Sequence, residues 1–365
     1  MRKDWEYKKL GEVAISDLGK TLNKSKDTGT LYPYLCAINV LWDNIDLSTL
    51  KETRFEEDEL ERYTVKFGDL LVCEGGDTGR AAIWDKHETM LYQNALHRIR
   101  LNNEIHSRFL LYHLWQLKLN GEIDAKYSKG VTIKHLVKSS LMSIPIPLPP
   151  KSAQLAIVAE LDKLNEMIRL KKQQLEDYDQ LAQSIFYEMF GDPVENEKGW
   201  EVKKFKEAYK MKSGDALSAK QFIAGNFPVY GGNGISGYHN TFNKDGIHII
   251  IGRVGVYCGN TRIVKDKFWL TDNAFELIYD KLSNNELFVC TLLNCLNLGQ
   301  YANAAAQPVI SNTTLKDLSI PLPPLHLQQQ FAARIEAIEQ QKQQVKDTIK
   351  DLETLLASRM QYWFD

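Results

Sequence analysis

The chain has 365 residues, of which 44% are hydrophobic and 25% are charged, and its formal net charge is −2. This length fits two domains of ordinary size, and the composition excludes a disordered, collagenous or fibrous chain. Because the charge is nearly neutral, any contact with DNA has to come from local basic patches rather than from the chain as a whole.

Cysteine usage and hydropathy indicate the compartment. The chain has five scattered cysteines, none of them in a C-x-x-C pair: Cys36, Cys73, Cys258, Cys290 and Cys295. We therefore expect a reducing environment, with neither a disulfide framework nor a metal site. No apolar run approaches the ~18 residues of a membrane span, and the first residues lack the apolar core of a signal peptide. These patterns predict a cytoplasmic protein that does not contact a membrane.

The sequence repeats its own plan. The segment Ile146–Pro150 (I-P-L-P-P) recurs 174 positions later as Ile320–Pro324, and Trp5-Glu6 recurs as Trp200-Glu201. Such a repeat is the signature of two equivalent structural units. Each half is predicted to contain a globular region, the I-P-L-P-P segment and then a long helix.

Residues 1–150 are predicted to form the first globular domain, a mixed α/β region with many short strands. Phe67–Val72 is typical of a turn into a strand, and Phe109–Leu114 of a short helix. Gly76–Arg80 is a tight turn that carries an arginine. Basic runs are usually solvated faces, but they also track phosphates. The candidates for DNA contact in this domain are Lys20, Lys24, Arg80, Lys129 and Lys134.

Residues 151–190 carry an unbroken 4-3 spacing of apolar side chains over more than four heptads, without Gly or Pro. This pattern predicts a coiled-coil helix. Its apolar seam includes Ile157, Leu161, Leu164, Ile168 and Leu175. Lys171 lies in the middle of the seam, where a lysine either fixes the register or extends to water, and both interpretations remain open. Residues 191–199 are predicted to be a polar, turn-rich linker.

Residues 200–324 are predicted to form the second globular domain, in which Gly252–Gly255 repeats the turn of Gly76–Arg80. Lys203 and Lys204 are candidate phosphate contacts here. Residues 325–365 form the second predicted helix, which carries Lys342 near its middle. Its seam includes Phe331, Ile335, Ile338, Val345, Ile349 and Leu352.

The segment Tyr230–Tyr238 contains a glycine cluster, G-G-N-G-I-S-G. It lacks the G-K-[ST] ending of a P-loop, so a nucleotide site is weakly indicated. The cluster is either a flexible turn or a loop whose backbone approaches DNA closely, which glycine permits. Arg253 either grips a guanine or is a structural turn residue. The candidates for base contact are Tyr230, Asn233, Ser236, Tyr238, His239 and Arg253.

Catalytic patterns are absent from the sequence. There is no H-E-x-x-H pair, no G-x-S-x-G elbow, and no Asn/Asp-Pro-Pro-aromatic tetrad of the kind that grips a flipped adenine. We therefore predict a chain that has no catalytic residues and that binds no cofactor or metal ion of its own.

The whole chain resembles the specificity subunits of type I restriction-modification systems. The resemblance rests on I-P-L-P-P followed by a glutamine and a long helix, twice, on Met189–Pro193 with Gly199-Trp200, and on Pro228–Tyr238. It implies an α/β fold of the α+β type with a pseudo-twofold internal repeat. Residues 1–150 and 200–324 would be target recognition domains, joined by antiparallel coiled-coil spacer helices at 151–190 and 325–365.

The same resemblance implies a function. The chain would bind an asymmetric bipartite target in double-stranded DNA, one half-site per recognition domain, with helix length setting the half-site separation. Modification subunits would methylate with S-adenosylmethionine, and restriction subunits would use ATP and Mg²⁺ to translocate and cleave DNA. The nearly neutral charge supports a competing interpretation, a non-catalytic two-headed scaffold on a coiled-coil rod.

Overall fold

A computed structural model of the chain describes residues 5–23, 28–130, 134–303 and 308–365. Its internal contacts divide the chain into two compact units. The first unit contains Met1–Lys172 together with Asp347–Asp365, and the second contains Gln173–Lys346. The second unit is therefore continuous in sequence, whereas the first unit includes the end of the chain.

The first unit is built from short strands, three helices and parts of both long helices. Its strands are β1 (Glu6–Lys9), β2 (Ala14–Leu18), β3 (Thr30–Leu35), β4 (Val40–Leu41), β5 (Asn44–Ile45), β6 (Lys51–Phe55), β7 (Thr64–Val65), β8 (Leu70–Cys73), β9 (Ala81–Ile83), β10 (Met90–Tyr92), β11 (Leu96–Leu101) and β12 (Pro145–Leu148). Its α-helices of five or more residues are α2 (Glu57–Arg62), α3 (Ser107–Leu119), α4 (Lys138–Met142), the first part of α5 (Lys151–Phe190) and the last part of α9 (Leu325–Phe364). A short helical turn, α1 (Leu10–Val13), follows β1.

The second unit contains the corresponding elements. Its strands are β13 (Val202–Lys204), β14 (Tyr209–Ser213), β15 (Phe227–Gly231), β16 (Gly234–His239), β17 (His248–Gly252), β18 (Thr261–Val264), β19 (Trp269–Leu270), β20 (Ala274–Tyr279) and β21 (Ser319–Pro321). Its helices are the last part of α5, α6 (Phe205–Ala208), α7 (Glu286–Cys295), α8 (Asn312–Leu315) and the first part of α9.

The two units share one sheet plan. A four-stranded antiparallel sheet has the order β2-β11-β8-β9 in the first unit and β14-β20-β17-β18 in the second. A second sheet contains a parallel pair in each case, β3 with β10 and β15 with β19. A two-stranded ribbon, β1-β12 or β13-β21, leads into the long helix. The internal repeat and the α+β class predicted from the sequence are thus confirmed.

Each long helix has 40 residues and follows two prolines, which cannot extend the preceding strand and which suit the first turn of a helix. Within the first unit Glu160 accepts hydrogen bonds from Arg359 and Trp363, and Lys172 pairs with Glu353 at 2.8 Å. Early residues of α5 therefore meet late residues of α9, so the two helices run antiparallel in this unit.

The second unit shows the same antiparallel pairing with the roles of the helices exchanged. Phe186 near the end of α5 packs against Phe331 near the start of α9, with ring centroids 5.7 Å apart. The Nζ atom of Lys342 lies 2.7 Å from both Asp179 and Glu339. Burial acts to lower the pKa of Lys342, but hydrogen bonds and charge attraction from these two carboxylates outweigh the effect of burial and raise that pKa. Lys342 thus makes a defined ion pair between the helices.

The predicted seam residues are all shielded from solvent. Leu164 and Leu175 are half-buried, as is the central Lys171. The remaining seam residues are buried: Ile157, Leu161, Ile168, Phe331, Ile335, Ile338, Val345, Ile349 and Leu352.

A glutamine follows each I-P-L-P-P segment, and its hydrogen bonds explain why both halves of the chain contain it. The buried Gln154 side chain donates to the carbonyl oxygens of Pro149 and Glu104 and accepts from the His106 backbone N–H at 2.8 Å. In the second unit Gln328 donates to Pro323 and Ser283 and accepts from the Asn285 N–H at 2.9 Å. Each glutamine therefore fastens the start of a long helix to the loop before α3 or α7.

Candidate functional site

The glycine cluster forms the turn between β15 and β16, and it packs against the loop Gly252–Asn260 that joins β17 to β18. A Cβ atom at Gly252 would lie 2.4 Å from the carbonyl oxygen of Gly232, and one at Gly232 would lie 2.9 Å from that of Val254. No side chain fits at such distances. The glycines therefore allow two protein loops to touch, which explains their presence without a phosphate ligand.

A cleft of about 540 Å³ opens beside this turn, between the segment 217–222 and residues 271–273. Asn233, Ile235 and Ser236 line the cleft and are exposed, and Tyr238 is exposed further along β16. The Ser236 hydroxyl donates to the Val229 carbonyl oxygen at 3.1 Å. The hairpin thus presents polar and aromatic groups to solvent, so Asn233, Ser236 and Tyr238 remain candidates for base contact.

Two other residues of the hairpin face the protein. His239 is buried, its Nδ1 atom accepts a hydrogen bond from the Ile223 N–H at 3.1 Å, and its ring packs on Trp269. A buried ring cannot reach a base, so the prediction for His239 is corrected to a structural role. The Tyr230 ring is half-buried and meets Phe268 edge-on at 5.5 Å, and it stays a predicted contact only through its exposed part.

The two equivalent arginines bind their own domains. The Arg80 guanidinium is half-buried and donates to the Ala37 carbonyl oxygen at 2.8 Å. The Arg253 guanidinium lies 5.2 Å from the centre of the Phe275 ring and donates to the Asp272 carbonyl oxygen at 3.3 Å. Both contacts hold a loop in place, which favours the structural interpretation of Arg253 and gives Arg80 the same role.

The candidate lysines of the first unit have different surroundings. Lys20 is only 5% exposed, and its Nζ atom pairs with Glu59 at 2.5 Å and donates to the Arg54 carbonyl oxygen. An ammonium group that is buried and paired cannot bind a phosphate, so Lys20 is corrected to a structural role. Lys129 and Lys134 are exposed, although Lys134 donates to the Asp124 carbonyl oxygen at 2.8 Å. Lys24 lies outside the described residues.

Lys203 and Lys204 lie on β13, in the ribbon with β21, and so in a different sheet from the glycine hairpin. Both are exposed. Lys203 lies 3.6 Å from Glu201, and Lys204 donates weakly to the Ser319 hydroxyl at 3.3 Å. Exposed pairs of this kind are weak, so both ammonium groups remain available to an anion.

A buried ion cluster stabilises the sheet below the hairpin. The Glu276 carboxylate on β20 accepts hydrogen bonds from Lys244 and from the His248 ring, the latter at 2.7 Å. Burial alone would raise the pKa of Glu276, but these two hydrogen bonds outweigh burial and lower it. The cluster is fully paired, so its role is structural.

Sequence reasoning missed two adjacent exposed apolar residues of this region. Val256 is 90% exposed and Tyr257 is 52% exposed, next to each other in the loop after β17. The sequence carried a signal, because Gly255 and Gly259 bracket the segment. In the structure both glycines have a positive φ. A glycine at each end is typical of a tight loop that projects its central residues.

Neither a membrane-spanning helix nor a metal-binding cluster is found among the described residues. Within residues 5–23, 28–130, 134–303 and 308–365 there is no helix that is both long and apolar enough to span a membrane. Over the same residues, no three or more His, Cys, Asp or Glu side chains are grouped so that they could hold a metal ion.

Comparison with known families identifies the family of the chain. Residues 2–177 and 197–354 each match the sequence profile of the type I restriction modification DNA specificity domain. The chain belongs to this family. The two matches each contain one globular region and most of the long helix that follows it, as expected for a specificity domain that occurs twice.

Individual relatives agree with this family. The specificity subunit of the type I restriction enzyme EcoprrI from Escherichia coli is 34% identical over 132 residues, which are 35% of this chain and only 33% of that protein. A putative type I restriction enzyme specificity subunit, MjaX, from Methanocaldococcus jannaschii is 22% identical over 97% of this chain and 92% of its own length.

The fold has a solved counterpart. The S subunit of a type I restriction-modification system from M. genitalium superposes with a TM-score of 0.54, over 99% of this chain and 96% of that one. The sequence identity is 19%, so this likeness supports the two-domain specificity-subunit fold alone.

Proposed function

We propose that this specificity subunit reads an asymmetric, bipartite sequence in double-stranded DNA, with one half-site for each unit. The observation that carries the proposal is the repeated sheet plan with unlike loops. The order β2-β11-β8-β9 recurs as β14-β20-β17-β18, so both units offer the same frame. Base readout needs particular side chains at base edges, so different loops on one frame suit two different half-sites.

The loops differ after the first strand of the parallel pair. In the second unit β15 runs into the tight hairpin with Gly232 and Asn233 at its turn. In the first unit β3 runs instead into a 3-10 turn, Ala37–Asn39, and the small hairpin β4-β5. Ile38 is the exposed apolar residue of that turn. The two units therefore present unrelated side chains at equivalent places.

The chain acts without catalysing a reaction in this proposal. Its sequence has no H-E-x-x-H pair, no G-x-S-x-G elbow and no Asn/Asp-Pro-Pro-aromatic tetrad. Modification subunits would supply methyl transfer from S-adenosylmethionine, and restriction subunits would supply ATP- and Mg²⁺-dependent cleavage. The specificity subunit would position both on the DNA. Purified alone, the chain should neither methylate nor cleave a duplex.

Methylome sequencing of the host with and without this gene tests the proposal. We expect one bipartite, asymmetric methylated sequence to disappear with the gene. Replacing residues 200–318 by the same region of a related specificity subunit should change one half-site and leave the other unchanged. An unchanged methylome would support the two-headed scaffold instead, and a change in both half-sites would contradict the assignment of one half-site to each unit.

A further inference from the structure

The loop between β17 and β18 projects two adjacent apolar side chains into solvent. Val256 is 90% exposed and Tyr257 is 52% exposed. Single exposed apolar residues are common, but two neighbours at the tip of one loop need a reason. The loop lies against the glycine hairpin, and its Val254 lines the same cleft as Asn233 and Ile235.

The exposure comes from a well-defined loop conformation. The loop is closed at its base, where the Gly252 N–H donates to the Asn260 carbonyl oxygen at 3.0 Å and the Gly259 N–H donates to that of Gly252 at 2.8 Å. A turn at the tip joins the Cys258 N–H to the Gly255 carbonyl oxygen at 3.0 Å, and the Gly255 N–H donates to Pro308. The backbone is therefore fixed before any partner arrives, which lowers the entropy cost of binding.

The charge around the tip favours a polyanion. The loop Gly252–Asn260 carries Arg253 and no aspartate or glutamate, and Arg262 follows it on β18. The Arg262 guanidinium lies against Gly234 at the hairpin turn. An apolar tip set among cations suits a nucleic acid, whose phosphates attract the cations while its bases offer apolar surface.

The equivalent loop of the first unit has no apolar tip. Its equivalent loop, Glu74–Arg80, contains two acidic residues and no large apolar side chain. Asp77 pairs with Lys118 at 2.9 Å, and the Thr78 hydroxyl donates to Asp124 at 2.8 Å, so the polar groups of this loop bind the protein itself. Any role of the tip therefore concerns only one half-site.

We propose that Val256 and Tyr257 make the apolar base contacts of the second recognition domain and help to determine the sequence of its half-site. This inference rests on the proposed function. Apolar and aromatic side chains at base edges contact thymine methyl groups in the major groove, while Arg262 lies beside the phosphates.

The test compares a Val256→Ser, Tyr257→Ser double variant with Leu282→Ser, a control in the same unit that removes an apolar side chain of similar exposure (87%) elsewhere. Each variant is assembled with its modification subunits, and the methylated sequence and the affinity for the wild-type target duplex are measured. We expect the double variant to bind at least about fivefold more weakly and to lose preference at one or more base pairs of one half-site only. The control should behave as the wild type does.

Three outcomes would overturn the inference. The double variant could keep the wild-type sequence preference and affinity, it could lose assembly with the modification subunits, or it could relax both half-sites equally. Loss of assembly would show that the tip is a protein interface. A wild-type complex without any sequence preference would instead contradict the proposed function itself. Thermal denaturation of each variant excludes misfolding as the cause of a change.

Discussion

At position 252 the second unit has no room for a side chain, because the Gly232 carbonyl oxygen would lie 2.4 Å from a Cβ atom. At Gly231, the neighbour of Gly232, a Cβ atom would contact only the Thr271 hydroxyl, at 3.7 Å, which is an ordinary van der Waals distance. Glycine thus has two different roles where these loops meet. Some positions exclude any side chain, and others merely lack one.

The first prediction uses this pair. Gly252→Ala should destabilise the protein by about 1–3 kcal/mol, because the two loops must separate to admit the methyl group. Gly231→Ala is the matched control and should cost much less. Urea denaturation, followed by hydrogen exchange in β15 to β18, measures both. Equal stability of the two variants would show that the loops are not in backbone contact.

Arg253 supports the second prediction. Because its guanidinium lies over Phe275 and donates to the Asp272 carbonyl oxygen, Arg253→Ala should lower stability by about 1 kcal/mol and leave base preference unchanged. Melting temperature and the methylated sequence should be measured together. A relaxed preference at one base pair with unchanged stability would show instead that the arginine reads a guanine.

The third prediction concerns the effect of Glu276 on the stability of the protein at acidic pH. Hydrogen bonds from Lys244 and His248 hold the pKa of Glu276 below its ordinary value of 4.5, although burial acts in the opposite direction. A carboxyl whose pKa is lowered on folding stabilises the protein above that ordinary value, and this stability is lost as the pH falls through the folded-state pKa. Glu276→Gln should therefore flatten the loss of unfolding free energy below about pH 4.5.

Glu201→Gln, at an exposed position, is the control for that experiment. Its unfolding free energy should follow the wild-type curve against pH. A Glu276→Gln curve as steep in acid as the wild-type curve would show that other carboxyls cause the loss.

At the scale of elements, the long helices were the most predictable part of the chain. Their 4-3 spacing places a residue such as Leu161 in the seam wherever the chain is helical, because the period follows from helix geometry alone. Lys20 shows the limit of such reasoning. Its burial depends on Glu59 and Phe55, which are remote in sequence and which fold beside it only through sheet pairing. Local charge patterns carry no information about that pairing.

The loops were predicted less well for the same reason. The recurrence of Gly252–Gly255 correctly marked a structural turn, yet the projection of Tyr257 results from hydrogen bonds at the base of the loop. The role of Gln154 and Gln328 was equally invisible in sequence. Their recurrence was visible, but two of the three backbone groups that each glutamine binds belong to a loop more than 40 residues away.

These glutamines give the fourth prediction. Gln328→Ala removes three hydrogen bonds from a buried site and leaves backbone groups of Ser283, Asn285 and Pro323 unpaired. It should destabilise the second unit by about 2–3 kcal/mol. Gln329→Ala, at the exposed neighbouring position, should be nearly neutral. Hydrogen exchange should rise in α7 and not in α3, and equal protection in both variants would show that the glutamine does not fasten the helix.

At the scale of the whole molecule, each long helix belongs to both units. The boundary falls after Lys172 in α5 and after Lys346 in α9. Every helix pair described above remains within one unit, since Lys172 pairs with Glu353 in the first and Lys342 with Asp179 in the second. The chain can therefore be lengthened at the two boundaries without separating these partners.

This division leads to the last prediction. Four residues of high helix propensity inserted after Lys172, with four more after Lys346, should lengthen the path along both helices by about 6 Å. In a bipartite target the unspecified spacer should then grow by about two base pairs, because DNA rises 3.4 Å per base pair, and both half-sites should keep their bases. Insertion after Lys172 alone is the control. It changes one helix only, so it should lower stability and weaken binding. Methylome sequencing of strains that carry each variant reads the spacer directly. Altered half-site bases with an unchanged spacer would show that the helices do not set the distance.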